Sequence, residues 1–281
     1  MYDIDAPFPQ KNLGASKNKN LVITQVKVMK LMHPTNTTSL KVTWEKLPED
    51  YILPDDPVDN ITQPLLAMAL TDALSVAGKL PENSLTSTNY GICATVNDKI
   101  VVKAPDWAFI PEIRVERLEV ERSYTPRLEG EIPLIVMEFI SETEGGEYSI
   151  KPTYPPGKWF FYEQVLQVPN YAIFAPQNGV LELYQLDDSS RYKVQKPDEN
   201  GRYWIAEMQL FLGVWQGTHD RRTGYWLRWW DEAGSLLLWG SELVQQERQR
   251  AEVERQRAEQ AELRLQQLME RLKAEGIELE E

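Results

Sequence analysis

From Tyr90 to Asp231 the chain alternates short runs rich in valine, isoleucine and aromatic residues with turn-forming residues, which restricts it to a fold organised around β-sheet. YGICATV, IVVKAPDWAFI and IPLIVMEFI read as strands of one sheet, the first two joined by the turn VNDK. NYAIFAP and VLELYQLD make a hairpin about Gln177-Asn178-Gly179, and RYKVQ, the turn PDENG and RYWIAEMQLFLGVWQG continue the pattern. One helix, KWFFYEQVLQ, interrupts the strands directly after the Pro155-Pro156-Gly157 break. Another, ITQPLLAMALTDALSVAG, precedes them and ends at Gly78, with Leu65, Met68, Ala69 and Asp72 near one face. The order helix, strands, helix, hairpins predicts an α+β domain with an α/β-type mixed sheet.

Flanking zones differ in composition. Residues 1–40 read as an N-terminal extension whose periodicity fits strand and helix equally, and residues 41–239 as the domain proper. Residues 240–281 lack aromatics and are rich in Glu, Gln and Arg, which predicts a long helix stopped by Gly276. A heptad series through Val244, Ala251, Ala258, Leu265 and Leu272 is joined by Glu247, Glu254, Ala261 and Leu268, so the apolar seam is well formed only in the last two heptads. This predicts a coiled coil that joins copies of the chain, with a solvated single helix as the alternative.

Composition narrows the function. Cys93 is the only cysteine, which excludes disulfides within the chain and cysteine-cluster zinc sites, and His33 and His219, the only histidines, leave little room for a multi-histidine centre. With 30 Lys and Arg against 43 Asp and Glu, a net charge of −13, the chain is no generic polycation for nucleic acid; any contact with phosphate must be local. No apolar run approaches membrane-spanning length and the acidic start lacks the blocks of a secretory signal, so a cytoplasmic protein is expected. There is no G-x-S-x-G elbow, no Walker-type loop and no dinucleotide glycine pattern.

Two carboxylates interrupt apolar strands. Asp106, in APDWAFI, shares a face with Ala108 and Ile110; Glu138, in LIVMEFI, shares one with Leu134, Val136 and Ile140. A carboxylate on a buried strand face is costly without a counter-charge, and two on neighbouring strands repel each other. A hard divalent cation between them resolves both problems, since Mg²⁺ takes one or two protein carboxylates plus water and phosphate oxygens. Facing solvent at strand ends, or pairing with arginine, would resolve them as well. Lys158, opening the KWFFYEQVLQ helix, opposes the helix dipole by some tenths of a kcal/mol, a penalty that nearby carboxylates would offset.

These residues carry a resemblance. APDWAFI, IPLIVMEFISETEGGEY, PGKWFFYEQVLQVPNYAIF and the closing LGVWQG and GYWLRWWDEAG resemble the Uma-two family of putative restriction endonucleases, of the PD-(D/E)XK nuclease superfamily, over about residues 45–281. The resemblance implies a restriction-endonuclease-like core, with Asp106 as the Asp of the PD motif and Glu138 as the second acid, together holding Mg²⁺ or Mn²⁺. The superfamily's lysine normally follows that acid by two positions, where this chain has Ile140; Lys158 is the best-placed replacement and Lys151 a weaker one. Asp72 is a candidate for the acid that some members supply from the first helix. The implied activity is hydrolysis of DNA phosphodiesters, with modest affinity in one groove. The alternative is a non-catalytic interaction protein on a degenerate nuclease fold that finds partners through its coiled coil.

Other groups read as structural. Arg114, Arg117, Arg122 and Arg127 interleave with Glu112, Glu116, Glu119 and Glu121 as a solvated ion-pair surface. HDRRTGYWLRWW is dense enough in aromatics to be core, with base stacking as the alternative, and His219 reads as a surface residue.

Overall fold

The computed structural model describes residues 40–52, 61–140 and 146–274. Its strands are β1 (Val42–Thr43), β2 (Leu85–Ser87), β3 (Ile92–Val96), β4 (Lys99–Lys103), β5 (Trp107–Ile110), β6 (Ile135–Phe139), β7 (Asn170–Ala175), β8 (Val180–Leu186), β9 (Tyr192–Val194), β10 (Tyr203–Ile205), β11 (Leu210–His219) and β12 (Arg222–Trp230). Helix α1 spans Thr62–Val76; α2 is a single turn, Lys158–Phe160, that widens into a π-helical segment over Phe161–Leu166; α3 spans Gly240–Ala274.

The main sheet has six strands in the order β2-β5-β6-β7-β8-β9, antiparallel except where β6 and β7 run parallel. That parallel step requires a crossover, and α2 with its π-helical continuation lies in it. Strand alternation divides the core in two. Trp107, Phe109, Ile135, Met137, Phe139 and Phe174 point to one side, where they pack with Leu66, Leu70 and Leu74 of α1 and with Trp226 and Trp229 of β12. Ala108, Ile110, Val136 and Ile173 point to the other, against Ile92, Ala94 and Val101 of β3 and β4 and Phe161, Tyr162 and Val165 of the crossover. This mixed-sheet architecture with a long C-terminal helix is the expected restriction-endonuclease-like fold.

Three local expectations are corrected. YGICATV and IVVK do not join the main sheet: β3 and β4 form a separate three-stranded sheet with β1, and IVVKAPDWAFI is broken into β4 and β5. The break falls at Ala104-Pro105-Asp106, where a proline that lacks an N–H cannot continue a ladder. In α1, Met68 is 63% exposed, and the buried stripe comprises Leu66, Ala67, Leu70, Ala73 and Leu74 together with Ala69. This rotation follows from a second layer, since the indoles of Trp239 and Trp229 donate to the carbonyls of Ala69 and Leu70 at 3.0 and 3.3 Å. His219 is no surface residue; its side chain is 12% exposed and stacks on Trp239 with ring centres 3.8 Å apart.

The tryptophan-rich segment is core, as its density suggested. Arg228, fully buried within it, forms a two-pronged ion pair with Glu242 at 2.6 and 3.1 Å and lies over the Trp239 ring. Glu242, in the first turn of α3, also accepts the N–H of Trp239 just before the helix, and Asp72 of α1 accepts the Gly240 N–H that opens it. Farther along, Val244, Val253, Leu263, Leu265, Leu268 and Met269 are exposed, and Glu247–Arg250, Glu252–Arg255 and Glu254–Arg257 pair along the surface. The arginines before β6 are less purely solvated than expected: Arg117 donates to the Ser84 carbonyl and Arg122 to that of Pro48, each at 2.7 Å.

Candidate active site

The register of β5 and β6 places the two strand acids together. Trp107 opposes Met137 and Ala108 opposes Val136, so the next pair outward is Asp106 and Glu138, on the face that carries Ala108 and Val136. Asp106 is 8% exposed and accepts the Phe139 N–H through Oδ2 at 2.6 Å, so the acid ends the ladder where proline broke the strand. Gln63, buried in the first turn of α1, donates to the Phe139 carbonyl at 2.9 Å and fixes the same strand end.

Glu138 has no solvent exposure. Its Oε2 accepts from Lys158 Nζ at 2.9 Å and its Oε1 from the Tyr162 hydroxyl at 3.0 Å. Lys158 opens α2 and Tyr162 lies four residues on, one helical turn away on the same face, so the crossover delivers both donors together. Burial pushes the Glu138 carboxyl up to about 8; the Lys158 charge opposes this and the Asp106 charge adds to it. Burial alone would lower Lys158, but the charges of Glu138, Asp106 and Glu147 and the hydrogen bond to Glu138 outweigh it and hold the ammonium above the ordinary lysine range. Both directions favour a retained proton. Because Glu138 is wholly desolvated and Lys158 is not, the penalty on the carboxylate charge dominates.

Two neighbours escaped the reading of the sequence. Glu147, 3% exposed, puts Oε1 at 3.9 Å from Lys158 Nζ, while its Oε2 is buried without a hydrogen-bond partner among the described residues. Lys103, the last residue of β4, is half-buried and held below the ordinary lysine range by burial and by the Lys158 ammonium. Its place three residues before Asp106 was the available signal; Glu147 lies in a loop with no periodic pattern. Two other candidates stay outside. Lys151 is exposed and makes no ion pair among the described residues, and Asp72 is engaged at the start of α3.

A family described as putative restriction endonuclease, Uma2, matches residues 62–218, which include Asp106, Glu138, Glu147 and Lys158. The chain belongs to the Uma2 family. No curated protein matches it. Membership in Uma2 points to nuclease activity and so to DNA as a partner, and no described helix is long and apolar enough to cross a membrane.

The site's donors suit a hard cation. Asp106 and Glu138 offer only oxygen, and the proton favoured on Glu138 marks a desolvated negative charge that a divalent ion would stabilise. Among the described residues no group of three or more His, Cys, Asp or Glu side chains could hold a metal, so a cation would draw on a pair of acids and complete its shell with water and phosphate oxygen.

Proposed function

We propose that the chain is a Mg²⁺-dependent endonuclease of the PD-(D/E)XK type that hydrolyses phosphodiester bonds of DNA, Mn²⁺ serving as an alternative ion. The observation that carries this reading is the 2.9 Å contact between Lys158 and a wholly buried Glu138 placed opposite Asp106. Asp106 and Glu138 would hold the metal, which supplies Lewis acidity and a water of lowered pKa. Asp106 keeps its geometry through the Phe139 N–H, and Tyr162 fixes the orientation of Glu138. Lys158 orients the attacking water and offsets charge that develops on the phosphate oxygens. The lysine therefore comes from the crossover, in place of the strand position occupied by Ile140.

The exposed aliphatic residues of α3 support self-association of a cytoplasmic protein through a coiled coil. In this reading residues 1–40 are an extension, 41–239 the catalytic domain and 240–281 the oligomerising helix. The test is conversion of supercoiled plasmid to nicked or linear form in Mg²⁺ or Mn²⁺. Wild type should cut, while folded Glu138→Ala and Lys158→Ala proteins lose at least about a hundredfold in rate, the scale of a positioned charged group. An inert wild type, or full activity in either variant, would overturn the assignment.

A further inference from the structure

Glu147 presents an unexplained arrangement. Its side chain is 4% exposed, Oε2 has no hydrogen-bond partner among the described residues, and Oε1 stands 3.9 Å from the ammonium that Glu138 holds at 2.9 Å. A buried carboxylate oxygen without a donor is costly, and native proteins rarely keep one without use. The backbone fixes Glu147 there. Its carbonyl accepts the Tyr171 hydroxyl at 2.9 Å, and two residues on, the Ser149 carbonyl accepts the Phe160 N–H at 3.3 Å. A Cβ at Gly157 would stand 2.0 Å from the Ser149 carbonyl oxygen, so glycine permits the loop to lie against the start of α2.

Both oxygens of Glu138 already accept bonds, from Lys158 and Tyr162. A divalent ion drawn to Glu138 therefore meets the Lys158 ammonium as a competitor of like charge. The ammonium needs a second anion close enough to reach by side-chain rotation, or it is lost to solvent, to which 27% of its side chain is already open. Glu147 is that anion, slightly beyond bonding distance.

We infer that Glu147 is a positioning residue that takes over the Lys158 ammonium when the Glu138 carboxylate turns to a cation, so that the lysine stays beside the reacting phosphate. The inference rests on the reading of Asp106 and Glu138 as the metal acids. It deepens that reading, because without a receiver the metal and the lysine could not share the site.

The test is a double-mutant cycle on Mn²⁺ affinity, measured by calorimetry on the full chain without substrate. Glu147→Gln should weaken Mn²⁺ binding about fivefold in the wild-type background and by less than about twofold alongside Lys158→Met, since coupled residues are non-additive. Equal weakening in both backgrounds would make Glu147 a metal ligand, and an unchanged affinity in the wild-type background would mean no transfer; either result overturns the inference while leaving the nuclease reading intact. A wild type that binds no Mn²⁺ removes the metal-acid reading itself, and this inference with it. Should Lys158→Met not fold, Lys158→Gln, which retains a donor for Glu138, serves in the same arm. Supercoiled plasmid supplies the second readout: Glu147→Gln should lower kcat with KM unchanged, and Lys158→Met should abolish that difference.

Discussion

Replacing Glu138 with glutamine removes a buried charge while preserving shape, and its consequence can be worked out from the site. The folded carboxyl is pushed up to about 8 from an ordinary 4.5, so between those values the folded protein binds a proton that the unfolded chain releases. Stability contributed by this group is therefore complete below about pH 4.5 and is lost as pH rises toward 8, by at most about 1.4 kcal/mol per pH unit. Lys158 is held above the ordinary lysine range and stays charged throughout this window, adding no linkage of its own. Glu129, also raised by burial, titrates alike in both proteins and cancels in the difference. From pH 5.5 to 7.5, wild type should accordingly lose about 2–3 kcal/mol relative to Glu138→Gln. The assay is urea unfolding of both proteins at the two pH values in a chelator, repeated with saturating Mg²⁺. Without metal the difference should grow with pH; with metal the wild-type loss should shrink, because a bound cation stabilises the charged carboxylate. Parallel pH profiles in chelator would refute the account of Glu138 as a desolvated acid.

Three further outcomes are expected. Lys103→Met should weaken binding of a labelled oligonucleotide in Ca²⁺ about tenfold at low salt and reduce the log–log salt slope by about 0.7–0.9, the signature of one phosphate contact; the same change at exposed Lys196 should alter neither. Glu242→Ala leaves the Arg228 guanidinium buried without its carboxylate and should cost about 3–5 kcal/mol in urea unfolding; a loss below about 1 kcal/mol would show that the Trp239 ring and the Leu237 carbonyl suffice. Sedimentation equilibrium should find a homo-oligomer that becomes monomeric in the Leu265→Lys, Leu268→Lys double variant, and a monomeric wild type would remove the coiled coil from the proposal.

What the sequence by itself determined is whatever short-range pattern encodes. Alternation set Asp106 on the face of Ala108 and Ile110 and Glu138 on that of Val136, each within its own strand. The Pro-Pro-Gly break set Lys158 at a helix start, and loss of aromatics after Trp239 marked α3, while the β5–β6 register that brings the two acids together came from the fold. Those signals depend on a strand period of two and on backbone chemistry that each residue carries with it. The tertiary structure decided the remainder. Only long-range pairing shows that β3 and β4 leave the main sheet, that Trp239 and Trp229 cover α1, and that His219 is stacked instead of solvated. The sequence already ranked Lys158 above Lys151, but the 2.9 Å contact with Glu138 depends on how the crossover seats on the sheet, which only packing decides. Glu147 could not be found from pattern at all: its place beside Lys158 is set by backbone hydrogen bonds of an aperiodic loop and by the close approach at Gly157. Periodicity specifies which face a side chain takes, but the counter-charges that make a buried acid useful come from segments distant in sequence, and only the folded chain brings them within reach.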